Sequence, residues 1–250
     1  MIPFPKRKVS RETAQAELDI LERTYPNAVT ALQYTNPFEL LVAVTLSAQT
    51  TDARVNMTTP TLFEKYPHAR ALAEARQEDV EEIVKSTGFF RQKSKNIIAT
   101  ARELVEKYDA QVPREREQLE ALPGVGRKTA NVVMSVAFEE EAIAVDTHVF
   151  RVSHRLGLTT GKMPRDVEND LMKLVPREKW RHAHHWLILH GRAICKAPTP
   201  LCGACPVKKI CPTPPIIAKM TTEKVRAKKS TAPSGRDAAD ATAPRRKRSS

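Results

Sequence analysis

The chain has 250 residues, 41% of them hydrophobic, with 41 Lys and Arg against 29 Asp and Glu. A formal net charge of +12 points to a polyanionic partner, nucleic acid before an anionic membrane surface. No apolar run approaches a membrane span, and the N-terminal MIPFPKRKVS lacks the apolar core of a signal peptide, so membrane and secreted classes are excluded and a cytoplasmic protein with reduced thiols is expected.

Taken in chain order, the hydrophobic pattern is helical almost throughout. Glu12 to Tyr25 reads as an amphipathic helix with Ala16, Ile20 and Leu21 on one face. Phe38 to Ser47 is apolar enough to be a buried helix, and it follows Asn36-Pro37, where proline suits a first helical turn. Further helices are predicted over residues 80–85, 94–108, 114–122, 128–138, 145–156, 167–174 and 179–190. Strand-like alternation is nearly absent, so the predicted fold class is all-α. The end of the chain is different in kind. Residues 219–250 hold ten Lys and Arg against three acids and no aromatic residue, a composition expected to be disordered. That tail carries +7 of the +12, so the remaining body is only modestly basic and local features must carry the nucleic-acid argument.

The four cysteines of the chain are Cys195, Cys202, Cys205 and Cys211, spaced C-x6-C-x2-C-x5-C. Four thiolates in so short a stretch can close around one metal centre. Structural zinc usually takes two C-x2-4-C pairs, whereas an iron–sulfur cube accepts wider, uneven gaps with all-thiolate ligands. On spacing, the cube leads and zinc stays open. Pro198, Pro200, Pro206 and Pro212 make the segment a wrapping loop, not a helix.

Leu122-Pro-Gly-Val-Gly-Arg-Lys128 lies between two helix candidates. Pro123 stops the first, while Gly124 and Gly126 allow left-handed backbone and a close approach by a ligand. The N–H groups of Gly124, Val125, Gly126 and Arg127 would face outward at the start of the second helix, an arrangement that binds phosphate. An ordinary helix–helix turn is the competing reading of the same residues.

LPGVGRKTA (122–130) resembles the helix–hairpin–helix of base-excision DNA glycosylases. VDTHVFR (145–151) resembles the aspartate-bearing segment of that superfamily, and LSAQTTD (46–52) its DNA-wedge segment. HHWLILHGR (184–192) leads into the four cysteines as in the endonuclease III family. Together, in this order, the motifs resemble that family over about residues 12–214.

The resemblance implies two helical domains with a DNA-binding cleft between them. The expected division is a flexible arm over 1–10, a six-helix domain over 30–141 containing the hairpin, a cluster domain made of 11–29 plus 142–214, and a disordered basic tail over 215–250. It implies one [4Fe–4S] cluster per chain on the four cysteines and a monomer acting on duplex DNA with a damaged base or abasic site. The expected location is the cytoplasm with the nucleoid, or the nucleus in a eukaryote. The chemistry implied is removal of an oxidised pyrimidine followed by β-elimination through a lysine Schiff base.

Lys128 matches the family's nucleophile, and its amine must be unprotonated to attack. Arg127 and the helix N-terminus are both expected to disfavour its charged form. Asp146, eighteen residues later, matches the catalytic aspartate, and Asp is also a favoured helix N-cap. Gln49 resembles the residue that fills the gap left by a flipped base. Phe89 matches a second wedge position, with a core aromatic as the competing reading. Thr50, Asp52 and His148 are candidates to line the pocket. His182, His184 and His185 lack acids at ligand spacing and do not suggest a second metal.

The loop between the first two cysteines, KAPTPL, has only Lys196 where the family often has several basic residues. Lys208 and Lys209, between the third and fourth, are candidates to have taken over part of the phosphate contact. Three other functions compete for the same residues. An adenine glycosylase of the superfamily usually lacks lysine at position 128 and carries a further domain after its cluster. A non-catalytic DNA-binding module with zinc would not need both Lys128 and Asp146. An electron-transfer protein would leave the hairpin and lysine unexplained.

Overall fold

The structure is a computed structural model and describes residues 2–220. Its helices are α1 (Arg11–Thr24), α2 (Pro37–Leu46), α3 (Asp52–Lys65), α4 (Ala69–Ala73), α5 (Gln77–Val84), α6 (Phe90–Lys107), α7 (Arg116–Ala121), α8 (Arg127–Ala137), α9 (Thr147–Leu156), α10 (Pro164–Leu174) and α11 (Trp180–Ala193). Among the described residues there is no strand. Local chemistry sets several of the boundaries. The Asn36 side chain accepts from Glu39 N–H at 3.0 Å and Pro37 occupies the first turn of α2, a favoured capping pair. Gly157 ends α9 in the left-handed region at φ +73°, and an added Cβ there would also press on Val9.

Two hydrophobic cores form. The first gathers side chains from Leu32 to Ala144 and is centred on α2, where Leu40, Leu41, Val42, Ala43, Val44 and Leu46 are all buried. A helix apolar on every side must lie inside such a core. The second combines α1 with α9, α10 and α11, through Leu18, Leu21, Val149, Val152, Leu171 and Leu187. The chain crosses between the cores after α1 and again at residues 142–145.

Polar links also join the two lobes. Arg127 on α8 makes a bidentate pair with the buried Glu168 of α10, at 2.7 and 2.9 Å. Arg192 on α11 bonds Asp52 at the start of α3, at 2.7 Å.

Several expectations need correction. The buried face of α1 is Ala14, Glu17, Leu18 and Leu21, while Ala16 is exposed and Ile20 half-buried. The pattern was obscured because Glu17 occupies a core position. It has no hydrogen-bond partner, and burial pushes its carboxyl up to about 9, so it is neutral at pH 7. Helix α3 was not predicted at all. Its inner face is Val55, Thr58, Thr59 and Leu62, and Pro60 interrupts it. Two threonines in place of aliphatics and an internal proline hide the helical period. With α3 and the short α4, the segment predicted to hold six helices contains seven, α2 to α8.

The N-terminal residues are not a free arm. Phe4 packs on the His154 ring at 4.6 Å, Lys8 pairs with Asp170 at 2.7 Å, and Val9 N–H donates to Gly157 O at 3.0 Å. The predicted tail begins too early, since residues 213–220 are helical. The rest of that tail, 221–250, lies outside the described residues.

Candidate active site and cysteine loop

Lys128 and Asp146 come together between the lobes. Both border a cleft of about 1550 Å3 that opens to solvent, and both border a deeper recess of about 620 Å3 behind it. Lys128 stands in the first turn of α8, open to cleft water yet walled in by protein on most sides. That partial dehydration pushes its ammonium below the usual lysine range. Asp146 and Asp52 oppose the shift, and Arg192 adds to it. No hydrogen bond holds its Nζ among the described residues, so the amine is unencumbered. Arg127, expected to lower it, is not among the causes. Its charge is countered by Glu168, with Glu120 at 3.5 Å. The cation that acts on Lys128 is Arg192, on a different lobe.

Asp146 caps α9. Its Oδ1 accepts from the N–H groups of His148 and Val149, both at 2.8 Å. This fixes the carboxylate and leaves Oδ2 without a protein donor among the described residues. The cap and the cleft-facing carboxylate are one side chain with its two oxygens divided between two tasks.

Thr50, Asp52 and His148 also line the cleft. Burial is the main cause lowering the His148 pKa. Arg151 approaches its Nδ1 at 3.2 Å, and since a guanidinium only donates, Nδ1 accepts and Nε2 carries the proton. On α11, His184, His185, Ile188, Leu189 and Arg192 form one face toward the recess. Burial holds His185 down to about 4 and His184 well below its ordinary value, so both rings are neutral near pH 7. Arg192 was not singled out from the sequence. The available signal was its i+7 spacing from His185, which a lone basic residue at a helix end does not advertise.

The hairpin glycines have different reasons to be glycine. Gly124 is left-handed at φ +76°, and a Cβ there would lie 2.4 Å from the Asn96 side chain. Gly126 has ordinary φ, and a Cβ would meet nothing within 4 Å. Nothing inside the protein demands glycine at 126, so its bare surface is available to an outside ligand. The four outward N–H groups predicted for the turn are reduced by one. Val125 N–H donates to Leu122 O at 3.1 Å, and its side chain is in the core. The α8 ladder begins with Ala130 N–H to Gly126 O, which leaves the N–H groups of Arg127, Lys128 and Thr129 unpaired at the helix start. Gly124→Ala should lower the melting temperature. Gly126→Ala should melt like wild type yet bind duplex DNA several-fold more weakly in a fluorescence titration.

Arg127 is committed to Glu168, so its main expected effect is on stability. Arg127→Ala leaves a buried carboxylate unpaired and should cost about 2–3 kcal/mol in urea denaturation. The double variant Arg127→Ala/Glu168→Leu should recover part of that.

Gln49 and Phe89 stand on separate loops, and Gln49 lines the cleft. Both have left-handed backbone, φ +55° and +47°, and Phe89 is 68% exposed. The core reading of Phe89 is therefore ruled out.

The four cysteines line one cavity of about 320 Å3, shared with Leu156, Ile194 and Pro200, and form no disulfide among the described residues. Among the described residues no three His, Cys, Asp or Glu side chains converge closely enough to grip a single ion. Burial pushes the thiol of Cys211 up to about 12 and raises Cys202 and Cys205. Arg155 is buried beside them with no carboxylate partner among the described residues. It donates to the carbonyls of Cys195, Lys196 and Pro198 and reaches Cys195 Sγ at 3.6 Å, while its Nε has no acceptor. A guanidinium without a counter-charge, beside four thiols round an apolar space, fits an anionic group larger than one ion. Lys196, Lys208 and Lys209 are exposed on this loop, and Lys208 Nζ turns back to Gly203 O at 3.1 Å.

Residues 42–177 match the HhH-GPD superfamily of base excision DNA repair proteins. The chain is 49% identical to endonuclease III of Synechocystis sp. over 83% of its own length and 95% of that protein. It is 47% identical to endonuclease III of Escherichia coli K12, over 78% and 93% of the two chains. The chain belongs to the endonuclease III family. A solved endonuclease III–DNA covalent intermediate superposes with a TM-score of 0.81 at 45% identity, covering 85% of this chain and 99% of that one. A thermostable thymine-DNA glycosylase shares the fold at 23% identity and a TM-score of 0.74. Family membership makes the protein a DNA glycosylase/AP lyase of base excision repair. No helix among the described residues is long and apolar enough to cross a membrane.

Proposed function

We propose that the protein removes oxidised pyrimidines from duplex DNA and then cuts the strand at the resulting abasic site, working as a monomer on cytoplasmic, nucleoid DNA. The observation that carries the reading is the pairing of Lys128 with Asp146 across the cleft. One is an amine held below its ordinary pKa, and the other a carboxylate fixed by two backbone donors.

A base inside a duplex is inaccessible at its glycosidic carbon, so the target nucleotide must leave the stack. Gln49 fills the vacated space and Phe89 wedges between bases, a use that suits an exposed aromatic on a strained loop. The neutral Lys128 amine attacks C1′, and the bond to the base breaks with its electron pair. Asp146 stabilises the positive charge that develops on the sugar and carries protons to and from the amine. Loss of a proton from the attached amine and protonation of O4′ then open the C1′–O4′ bond, and the Schiff base so formed makes the C2′ proton acidic. Its removal expels the 3′ phosphate, and water then releases Lys128. The N–H groups at the start of α8 and the bare face of Gly126 hold a backbone phosphate.

Cys195, Cys202, Cys205 and Cys211 are the residues that would hold a [4Fe–4S] cluster, with Arg155 as its buried counter-charge. When bound, the cluster supplies a cross-link that ties the proline-rich loop to α9 and α11. Lys196, Lys208 and Lys209 on that loop then face the DNA backbone. Residues 30–141 and the combination of 11–29 with 142–214 act as the two domains gripping the duplex, a division supported by the two cores.

The test is borohydride trapping of the full-length protein on a duplex carrying thymine glycol, read as a covalent protein–DNA adduct. No adduct with thymine glycol, but one with a preformed abasic site, would leave the lyase and remove the pyrimidine glycosylase. Release of a mismatched adenine, with thymine glycol left in place, would favour the adenine glycosylase. For the loop lysines, Lys208→Ala/Lys209→Ala should weaken binding and reduce the slope of log K against log salt by about 1–2. An unchanged slope would remove them from the interface.

A further inference from the structure

Gln49 and Phe89 are carried by loops that are 40 residues apart in sequence, yet one buried ammonium joins those loops. Lys93, in the first turn of α6, is only 5% exposed. Its Nζ donates to Leu46 O at 2.8 Å, Thr50 Oγ1 at 2.7 Å and Thr87 O at 2.8 Å. Thr50 Oγ1 donates in turn to Thr87 O. All three ammonium donors are therefore used. Leu46 and Thr50 bracket the turn that carries Gln49. Thr87 is two residues from Phe89, with Gly88 between them also left-handed at φ +69°. Burial alone holds Lys93 below its ordinary pKa, and among the described residues no carboxylate compensates the charge.

A buried ammonium satisfied only by dipoles is costly, and an apolar side chain would fill the same space more cheaply. Such a group is retained when its geometry is needed. Left-handed backbone at Gln and Phe is sparsely populated and persists only where the surroundings over-determine it. Here the over-determination converges on one nitrogen.

We propose that Lys93 is a positioning residue for base extrusion. Its ammonium holds the Gln49 and Phe89 loops at a fixed separation so that both side chains enter the stack together. The proposal rests on the reading of Gln49 and Phe89 as the wedge. Lys93 is buried and lines neither the cleft nor the recess that hold Lys128, so it acts only through these loops.

The experiment separates extrusion from chemistry in the full-length protein. Fluorescence of 2-aminopurine beside an abasic-site analogue in a duplex, followed by stopped flow, reports extrusion. β-Elimination on a single-stranded abasic oligonucleotide reports the lyase with no stacked partner to displace. Lys93→Met should slow extrusion about tenfold or more and leave the single-stranded lyase within about twofold. Lys93→Gln, which keeps two donors, should fall between Met and wild type. It serves the same comparison if the Met variant does not fold. Combined with Phe89→Ala, Lys93→Met should add little, because both act on one step. Equal losses on duplex and single strand would overturn the proposal by revealing general damage, as would unchanged extrusion. Slow extrusion in Gln49→Ala and Phe89→Ala but not in Lys93→Met would reject Lys93 alone. Wild-type extrusion in both wedge variants would reject the wedge reading, and this proposal with it.

Discussion

Lys128→Gln should form no borohydride-trapped adduct and should lose AP-lyase activity by about a thousandfold or more. Among the described residues no other amine reaches the same position, since Lys93 is tied to three acceptors and Arg192 is a guanidinium bonded to Asp52. The fold should be untouched. The Lys128 side chain makes no hydrogen bond among the described residues, so the melting temperature should stay within about a degree of wild type or rise slightly. Binding to a duplex with an uncleavable abasic analogue should also survive, which separates loss of the nucleophile from loss of the interface. If Lys128→Gln still traps, the nucleophile is another residue.

The environment of Lys128 also fixes the sign of a pH effect. Burial lowers its pKa first, Asp146 and Asp52 raise it, and Arg192 lowers it. The lyase rate should therefore rise with pH through a midpoint below that of an ordinary lysine. Removing the cation in Arg192→Ala should move that midpoint to higher pH. An unchanged midpoint would mean that Arg192 does not act electrostatically on the amine.

Asp146 offers the second large effect, and it can be divided. Asp146→Asn keeps a side-chain oxygen to accept from His148 and Val149 N–H, so α9 keeps its cap and the melting temperature should hardly change. Catalysis should fall by about a hundredfold to ten-thousandfold, because a neutral amide neither stabilises a cationic sugar nor moves a proton. Asp146→Ala should show the same catalytic loss and, in addition, about 1 kcal/mol lower stability from the missing cap. The Asn variant also loses one cause that raises the Lys128 pKa, so its residual activity should have a midpoint at lower pH. Equal stability of the Ala and Asn variants would show that the cap is dispensable. Near-wild-type activity in Asn would remove Asp146 from the chemistry.

Both residues were legible in the sequence for a local reason. The hairpin turn, with Pro123 and Gly124 in five residues, dictates its own backbone whatever surrounds it. Asp146 announces a helix start by its position before Thr147-His148-Val149. The cysteines are close enough in sequence that their spacing alone implies a shared centre. The buried helix α2 is visible because it is apolar on every side.

What the sequence did not yield depends on partners far along the chain. Helix α3 hides its inner face behind two threonines and a proline, and only the first core makes that face apolar. Arg127, next to the nucleophile, looks like a residue for phosphate or for tuning Lys128, but Glu168 is 41 positions away and takes its charge. Arg192 acquires its influence on Lys128 only when α11 packs along the recess. Lys93 reads as an ordinary helical lysine until three acceptors from two loops close around it.

The sequence by itself therefore determined the family, the all-helical class, the hairpin, the candidate lysine and its candidate carboxylate, and the thiol set. Each of these rests on contiguous residues whose backbone preferences or spacing act at short range. Only the tertiary structure decided which charges are free to act on the cleft and which are already paired. It also decided that Phe89 faces outward and that a buried ammonium holds its loop. Burial and charge pairing are properties of segments brought together from a distance, and no local pattern records them.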